Sequence, residues 1–439
     1  MSSGISINPI PTKQQLAWAD AELGVLIHYD IPVFAPGFEW RENFDSPLDP
    51  KIFNPTELDT DQWLETAAAM GAQYAVLVAK HCTGFCLWPT RAHEYSVKNS
   101  PWRDGKGDIV GDFIESCKKY DIRPGLYYSV SANGYLKVDN PGKVLSGDPG
   151  EQENYNRIVI EQITELWSNY GELFEIWFDG GALPPEQGGP NLTPLLKKHQ
   201  PNAVCFQGPP DFPSLVRWVG NEDGRAPYPC WSRADILKDD TGVENPGAAH
   251  GAGNPIGALW APAESDMPNR KPESNGGGWF WKSGQDHMLF ELDELMDRYY
   301  TSVGRNSNLL LGMVIDDRGL VPQADFERFA ELGKALREKF KKPIAQAGGE
   351  GFEISFYFEE AKTVNHAIIM EDLSKGERVR GYLIEAEIAG EFQVICQGTC
   401  IGHKRIERFD SLKAHAVRLK ITECQGLVNI RRFALYDCD

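Results

Sequence analysis

Short apolar runs alternate with longer amphipathic segments along the first 340 or so residues of the chain. Runs of four to eight apolar residues bounded by Gly, Pro or polar residues are typical of buried strands. The eight predicted strands are 24–29, 74–79, 124–130, 174–178, 203–207, 216–220, 257–261 and 309–314. Helical patterns lie between most of them, and a last one, 323–340, follows the eighth strand. This alternation predicts an α/β fold, a (β/α)8-like barrel.

An open, doubly wound sheet is the alternative fold for such an alternation. That fold usually carries a glycine-rich phosphate-binding turn after its first strand. Here the first strand is followed by HYDIPVFAPG, residues 28–37, which does not match such a turn. The barrel is therefore the favoured interpretation.

The pattern changes after Lys341, where the linker-like stretch KKPIAQAGGEG begins. Beyond it, apolar and polar residues alternate with period 2 between turn signals, which predicts a C-terminal antiparallel β-sandwich. We therefore expect two domains, a catalytic barrel over 1–342 and the sandwich over 343–439. The second resembles galactose-binding-like modules, although packing against the side of the barrel is the simpler role for it.

Composition and charge narrow the classes of partner. The chain has 439 residues, and 63 Asp and Glu against 44 Lys and Arg give a net charge of −19. Such acidity argues against nucleic acid and anionic membrane surfaces as partners. No run of 18 apolar residues is present, so no membrane-spanning helix is expected. The 12 Trp and 15 Tyr suit an enzyme that stacks rings on sugars, although most will lie in the core.

The chemistry of a barrel lies at the carboxyl ends of its strands. Polar or aromatic side chains stand at nearly every predicted strand end: His28 and Tyr29, Lys80 to Cys82, Tyr127 and Tyr128, Trp177 and Asp179, Asn221 and Glu222, and Glu264. Two carboxylates that face one pocket suit the hydrolysis of glycosides, one as nucleophile and one as proton donor.

Asp179 is the candidate nucleophile because it stands alone at the end of a strand and is followed by two glycines, which let a substrate approach. Glu222 is the candidate acid/base, and Asp223 and Glu264 are its rivals. Each has a structural interpretation as well, since Asp179 could cap a helix or pair with Arg. His28 and His81, taken singly, could each be core residues. Their positions at the ends of two successive strands favour a shared functional site.

Metal ligation is not expected. His81, Cys82 and Cys86 place two thiols and one imidazole close together in the chain. They lack the paired spacing of a zinc site. We therefore expect neither a metal nor a cofactor.

Several segments together resemble the α-L-fucosidases of glycoside hydrolase family 29. In chain order they are LGVLIHYDIPVF, FEWRENF, GAQYAVLVAKHCTGFCLWPT, RPGLYYSV, EIWFDGG, GWFWKSGQDH and YYTSVGRNSNLLLG. The resemblance implies a (β/α)8-like barrel with a C-terminal β-sandwich, and hydrolysis with retention of configuration and without a cofactor. It makes Asp179 the nucleophile.

The resemblance also implies the remaining site residues. RWVGNEDG, residues 217–224, is similar to the branch that acts on α-1,3/1,4-linked fucose, and it makes Glu222 the acid/base. The substrate-binding residues implied by the matching segments are His28, Glu39, Trp40, His81, Trp88, Tyr128, Trp177 and Trp281.

Two motifs depart from the family pattern. His-His-Asp-Gly-Phe is usual after the second-strand Lys, and here it reads His81-Cys82-Thr83-Gly84-Phe85. Ile-His-Trp-Gly is usual at the first strand, and here Tyr29 and Asp30 follow His28. A missing histidine removes a donor to one sugar hydroxyl, worth about 1–3 kcal/mol if that hydroxyl is left unpaired. The alternatives are therefore a hydrolase of a related sugar, such as an α-L-galactoside, and a degenerate sugar-binding barrel.

The expected partner is a fucosylated oligosaccharide or glycan, and the oligomeric state is left open. The resemblance implies a periplasmic or secreted enzyme, or a lysosomal one in an animal. The first 15 residues, MSSGISINPIPTKQQ, lack the basic start and apolar core of a signal peptide.

Overall fold

Eight parallel strands close into a barrel in the computed structural model, which describes residues 9–235 and 251–438. The strands are β1 (Leu23–His28), β2 (Tyr74–Lys80), β3 (Arg123–Tyr128), β4 (Glu175–Trp177), β5 (Val204–Phe206), β6 (Leu215–Trp218), β7 (Ala263–Pro268) and β8 (Ser307–Val314). Each strand pairs with its neighbours in chain order, and β8 pairs with β1 to close the ring. The predicted fold class is confirmed.

Helices cover the outside of this barrel. They are α1 (Lys13–Ala19), α2 (Thr60–Met70), α3 (Ile109–Tyr120), α4 (Pro149–Asn169), α5 (Thr193–His199), α6 (Leu292–Thr301) and α7 (Gln323–Lys339). Asp59, Asp108 and Asp148 cap the N-termini of α2, α3 and α4 by accepting hydrogen bonds from first-turn amides. Residues 207–214, between β5 and β6, form turns and no helix, so the strict alternation of strands and helices is interrupted there.

The prediction of the seventh strand at 257–261 is wrong. Leu259–Trp260 pairs with Arg233–Ala234 in a separate two-stranded sheet, and the barrel strand is Ala263–Pro268. This strand carries Glu264 and Asp266 in buried positions. A search for apolar runs therefore passes over it, because its inward positions are carboxylates rather than hydrocarbon.

The C-terminal antiparallel domain is also confirmed, as one six-stranded sheet. Its strands are β9 (Ala345–Glu350), β10 (Glu353–Glu371), β11 (Val379–Ile388), β12 (Glu391–Gly398), β13 (Arg405–Cys424) and β14 (Asn429–Tyr436), in the spatial order β9-β14-β10-β13-β11-β12. Register shifts interrupt the pairing of the two longest strands, β10 and β13. A separate apolar cluster, which includes Ile384, Val417 and Phe433, forms its core.

This sheet domain contacts the barrel near the amino ends of its strands. Glu377 accepts hydrogen bonds from the Asn306 side chain and the Ser232 amide, both at 2.8 Å. Glu22, which precedes β1, pairs with Lys404 and with His403. These contacts support a packing role for the sheet domain. It lies at the end of the barrel opposite the carboxyl ends of the strands. That the domain binds carbohydrate stays a prediction.

All nine cysteines lie in described residues, and none forms a disulfide. Among residues 9–235 and 251–438, no helix has the length and apolar character needed to cross a membrane.

Candidate active site

Asp179 lies where the fourth strand ends, at the mouth of the barrel. Gly180 and Gly181 follow it with φ of 67° and 76°, a left-handed backbone that glycine adopts without strain. The Ser131 hydroxyl donates to the Asp179 carbonyl at 2.6 Å, and the Tyr127 hydroxyl donates to its carboxylate at 2.7 Å. The half-buried carboxylate is therefore held in one orientation.

Tyr127, and not the predicted Tyr128, is the tyrosine of this site. Successive side chains on a strand point to opposite faces, and Tyr127 pairs with Trp177 on the inward face. Tyr128 points outward to the helices, where its hydroxyl donates to Gln162 at 2.6 Å. The substrate-binding role predicted for Tyr128 does not fit this placement. The two tyrosines are adjacent in sequence, and only pairing with β4 decides between them.

Trp177 forms part of the barrel interior below Asp179. Its indole stacks on Phe206 with centroids 4.1 Å apart, and on Tyr127 with centroids 5.1 Å apart. These rings come from the strands on either side, so both faces of the indole are covered. The predicted substrate contact of Trp177 is therefore limited to the edge of its ring.

Two buried carboxyl groups lie deeper inside the barrel. Glu264 accepts from Tyr74 at 2.9 Å and from the Trp177 indole at 2.8 Å. Burial raises the pKa of Glu264 to about 7. Burial and then the charge of Glu264 raise the pKa of Glu175 well above its usual range, so this neighbour is protonated. Glu264 is a support of Trp177 rather than a proton donor at the mouth.

His28 and His81 lie side by side at the ends of β1 and β2. Their ring centroids are 6.0 Å apart, and His81 stacks on Tyr127 at 5.9 Å. Burial, followed by the charge of a neighbour, lowers the pKa of each to about 3. Both rings are therefore neutral at ordinary pH and can exchange hydrogen bonds with hydroxyl groups.

The two departures from the family motifs lie against each other. The Thr83 hydroxyl lies 2.9 and 2.8 Å from the two carboxylate oxygens of Asp30. Burial raises the pKa of Asp30 to about 7. One Asp30 oxygen also lies 3.9 Å from the His81 ring. The carboxylate that the family pattern has at position 83 is thus replaced by Asp30 from the segment after β1, which keeps an acid beside His81.

Glu222 stands on the loop after β6, across the mouth from the first strands. Its exposed carboxylate accepts from the Trp279 indole at 3.0 Å. The Trp279 ring lies 4.7 Å from His28, which in turn lies 6.3 Å from Tyr127. A continuous set of ring contacts therefore links Glu222 to Tyr127, the residue that holds the nucleophile candidate.

Asp266 of β7 is a second carboxyl group near Glu222, which the sequence pattern does not indicate because it predicts the seventh strand at 257–261. It is buried and accepts from the Trp218 indole at 2.6 Å. Burial and then the charge of Glu222 raise the pKa of Asp266 well above its usual range. The rival Asp223 instead forms ion pairs with Arg225 and Arg298. Of the proton-donor candidates Glu222, Asp223 and Glu264, Glu222 is the one that is exposed at the mouth and held by an indole donor rather than by ion pairs or burial.

The segment GWFWKSG contributes two aromatic residues to the mouth besides the predicted Trp281, whose sugar contact stays a prediction. Trp279 and Phe280 contact the histidines, with Phe280 at 5.4 Å from His28 and 5.0 Å from His81. Trp281 is half-buried against the apolar layer between barrel and helices. Three consecutive aromatic residues leave open, in the sequence, which of them contact the histidines, and the fold of the loop brings Trp279 and Phe280 to them.

Trp88 also lies outside the mouth. It is buried beside Tyr128, and its indole donates to Glu165 of α4 at 2.9 Å. Trp88 lies in the loop after β2, and its hydrogen bond connects that loop to α4. The predicted substrate contact does not fit this placement.

Glu39 and Trp40 lie on a loop that follows β1. Glu39 is exposed, and Trp40 contacts Phe44 and the guanidinium of Arg41. The charge of Arg41 contributes to the lowered pKa of His81. The loop therefore lies close to the mouth, and sugar contacts from its two predicted residues stay a prediction.

One group among the described residues could hold a metal ion. His81, Cys82 and Asp179 each offer a ligand atom, and these atoms lie within 4.8 Å of one another. The cysteine stands where the family pattern has its second histidine.

Comparisons with known proteins agree on one family. The family profile described as Alpha-L-fucosidase matches residues 8–205. Alpha-L-fucosidase 1 of Arabidopsis thaliana is 29% identical over 471 residues, covering 98% of this chain and 88% of the plant protein. A solved structure from Bacteroides thetaiotaomicron, assigned to the α-L-fucosidases, is 39% identical with a TM-score of 0.91, covering 98% of this chain and all of that one. A glycoside hydrolase 29 family member from a rumen bacterium is 30% identical, with a TM-score of 0.82 and coverage of 99% and 78%.

Proposed function

Because the chain belongs to the α-L-fucosidases of glycoside hydrolase family 29, we propose that it removes terminal α-1,3/1,4-linked L-fucose from oligosaccharides with retention of configuration. The observation that carries this proposal is the Asp179 carboxylate, held by Tyr127 at the mouth of the barrel with Glu222 on the loop opposite.

Asp179 is the nucleophile in this proposal. Its carboxylate oxygen attacks the anomeric carbon as the glycosidic C–O bond breaks, which forms a β-fucosyl ester. Glu222 gives its proton to the leaving oxygen. In the second step Glu222 takes a proton from water, whose oxygen attacks the same carbon and releases Asp179 and α-L-fucose. Retention predicts a separation of roughly 5–5.5 Å between the two carboxyl groups in the substrate complex.

The neutral rings around the carboxylates supply the sugar contacts. His28 and His81 present uncharged nitrogen atoms to hydroxyl groups, and Trp279 and Phe280 present apolar ring surface. Trp279 also donates to Glu222, which aligns the acid. This aromatic and neutral surface suits an uncharged deoxy sugar.

The linkage preference rests on the segment 217–224, RWVGNEDG, which is similar to that of the α-1,3/1,4-acting branch. The same segment forms the end of β6 and the loop that carries Glu222. A loop that bears the proton donor also lies next to the leaving group. Its side chains can therefore contact the sugar that is linked to fucose and distinguish one linkage from another.

Azide rescue tests the two catalytic roles. Asp179→Ala with azide and an activated aryl α-L-fucoside should yield β-L-fucosyl azide, because a single displacement inverts the anomeric carbon. Glu222→Ala with azide should yield α-L-fucosyl azide by way of the fucosyl-enzyme. Wild-type activity in Asp179→Ala would remove it as nucleophile, and an inverted azide from Glu222→Ala would contradict its role.

Product analysis tests the linkage. Turnover of an α-1,3/1,4-linked trisaccharide is expected to exceed that of an α-1,2-linked one and of an aryl fucoside. An aryl α-L-galactoside in the same panel tests the related sugar, and faster turnover of that compound would contradict the fucose assignment.

We also place the enzyme outside the cytosol, in a periplasmic, secreted or lysosomal setting, because its proposed substrates are glycans of that setting. Cell fractionation with an antibody to the chain measures this directly, and recovery from the cytosol would contradict it.

A further inference from the structure

Cys82 lies directly beside the proposed nucleophile. Its sulfur is 3.8 Å from an Asp179 carboxylate oxygen and 3.6 Å from the Ser129 hydroxyl. The side chain is only 5% exposed. The thiol therefore forms part of the wall of the pocket, at the position where the family pattern has a histidine.

His81 brings a third donor to the same place. Its Nδ1 lies 3.9 Å from an Asp30 carboxylate oxygen and makes no hydrogen bond among residues 9–235 and 251–438, so the ring is not fixed by a hydrogen bond at that atom. The His81, Cys82 and Asp179 ligand atoms lie within 4.8 Å of one another. An imidazole, a thiol and a carboxylate thus converge from the ends of β2 and β4.

The donor set is that of a zinc-type ion. Zinc takes sulfur at about 2.3 Å and nitrogen or oxygen at about 2.0–2.2 Å, which in a tetrahedron separates the ligand atoms by roughly 3.3–3.6 Å. The Cys82 and Asp179 atoms are already close to that separation, and the rest requires a side-chain shift of about 1 Å. A thiolate also selects soft ions over Mg²⁺ and Ca²⁺.

We propose that His81, Cys82 and Asp179 form an inhibitory site for Zn²⁺ or a similar thiophilic divalent cation. The ion displaces the thiol proton to solvent and takes one carboxylate oxygen of Asp179, and its fourth position faces the pocket. Bound metal and bound sugar therefore exclude each other. The inhibitory effect rests on the proposed role of Asp179 as nucleophile, whereas metal binding itself does not.

The sequence alone did not indicate this site. Cys82 and His81 are adjacent, but Asp179 comes from a strand 97 residues later in the chain. Cys86, the other nearby thiol, faces away from the pocket, where it lies 3.2 Å from the Gln162 amide.

The first experiment measures binding without reference to activity. Co²⁺ serves as the spectroscopic probe in chelator-treated enzyme, and a thiolate-to-cobalt charge-transfer band in the near ultraviolet is expected at one equivalent. Cys82→Ser and Cys82→Ala should lose the band. Cys396→Ser, which changes a more exposed thiol in the sheet domain, should keep it. The thermal unfolding midpoint of each variant verifies that it is folded.

The second experiment measures inhibition by Zn²⁺ during hydrolysis of an aryl fucoside. Inhibition competitive with substrate is expected, and Cys82→Ser should need at least about 10-fold more Zn²⁺ for half-inhibition, since a metal ligand is lost. Absence of the cobalt band, or its persistence in folded Cys82 variants, would overturn the site. A cobalt band with no inhibition by Zn²⁺ would overturn the inhibitory role and count against Asp179 as nucleophile. The azide experiment tests the nucleophile role of Asp179 separately.

Discussion

Replacing Tyr127 by Phe removes one hydroxyl and keeps the ring that stacks on Trp177. That hydroxyl lies 2.7 Å from the Asp179 carboxylate. Burial raises the pKa of Tyr127 well above its usual range, so it remains a donor at every working pH. A hydrogen bond to a charged group contributes about 1.5–3 kcal/mol. If that orientation is needed at the transition state, kcat should fall roughly 10- to 150-fold.

The assay is the hydrolysis of an aryl α-L-fucoside, with kcat and KM determined separately. We expect the loss to fall on kcat with little change in KM, because Tyr127 contacts Asp179, the proposed nucleophile. Tyr128→Phe is the matched control, since the neighbouring hydroxyl donates to Gln162 outside the barrel. Equal kcat values for the two variants would refute both the orienting role of Tyr127 and the assignment of the inward face.

Three further changes test other parts of the site. Trp279→Phe removes the donor to Glu222; we expect kcat/KM to fall about 3- to 10-fold for a natural oligosaccharide and less for an activated aryl fucoside, and an equal loss on both substrates would contradict alignment of the acid. Glu175 holds a proton in the folded state that the unfolded chain releases above its ordinary pKa, so its contribution makes the free energy of unfolding fall by about 1.4 kcal/mol per pH unit as pH rises above about 4.5. Glu175→Gln should remove that decline between pH 5 and pH 7, measured by denaturant unfolding, and parallel wild-type and variant profiles would contradict a buried proton. Trp88→Phe should lower the free energy of unfolding by about 1–3 kcal/mol, since Glu165 loses a buried donor, with kcat unchanged; a large rise in KM would restore its predicted sugar contact.

Local sequence was sufficient wherever a residue's role depends on its immediate neighbours. The end of the fourth strand is an example. Two glycines with positive φ stop the strand, and this places the preceding carboxylate at the strand end. Seven of the eight strands and the long helices followed in the same way from apolar runs and their spacing.

The seventh strand shows where such patterns fail. The rule that buried strands are apolar holds only if the interior they face is hydrocarbon. Here Glu264 meets Tyr74, Trp177 and a protonated Glu175, so a polar strand is stable inside the barrel. Those partners come from two other strands, β2 and β4, and no local window contains them.

The sequence by itself therefore determined the barrel, the antiparallel domain after it, the family and the carboxylate at the fourth strand end. Only the tertiary structure decided which of two adjacent tyrosines faces Asp179, that both faces of Trp177 are covered, and that the Cys82 thiol meets the same carboxylate. Period 2 along a strand says that neighbours face opposite ways. Which of them faces inward depends on pairing with strands far away in the chain.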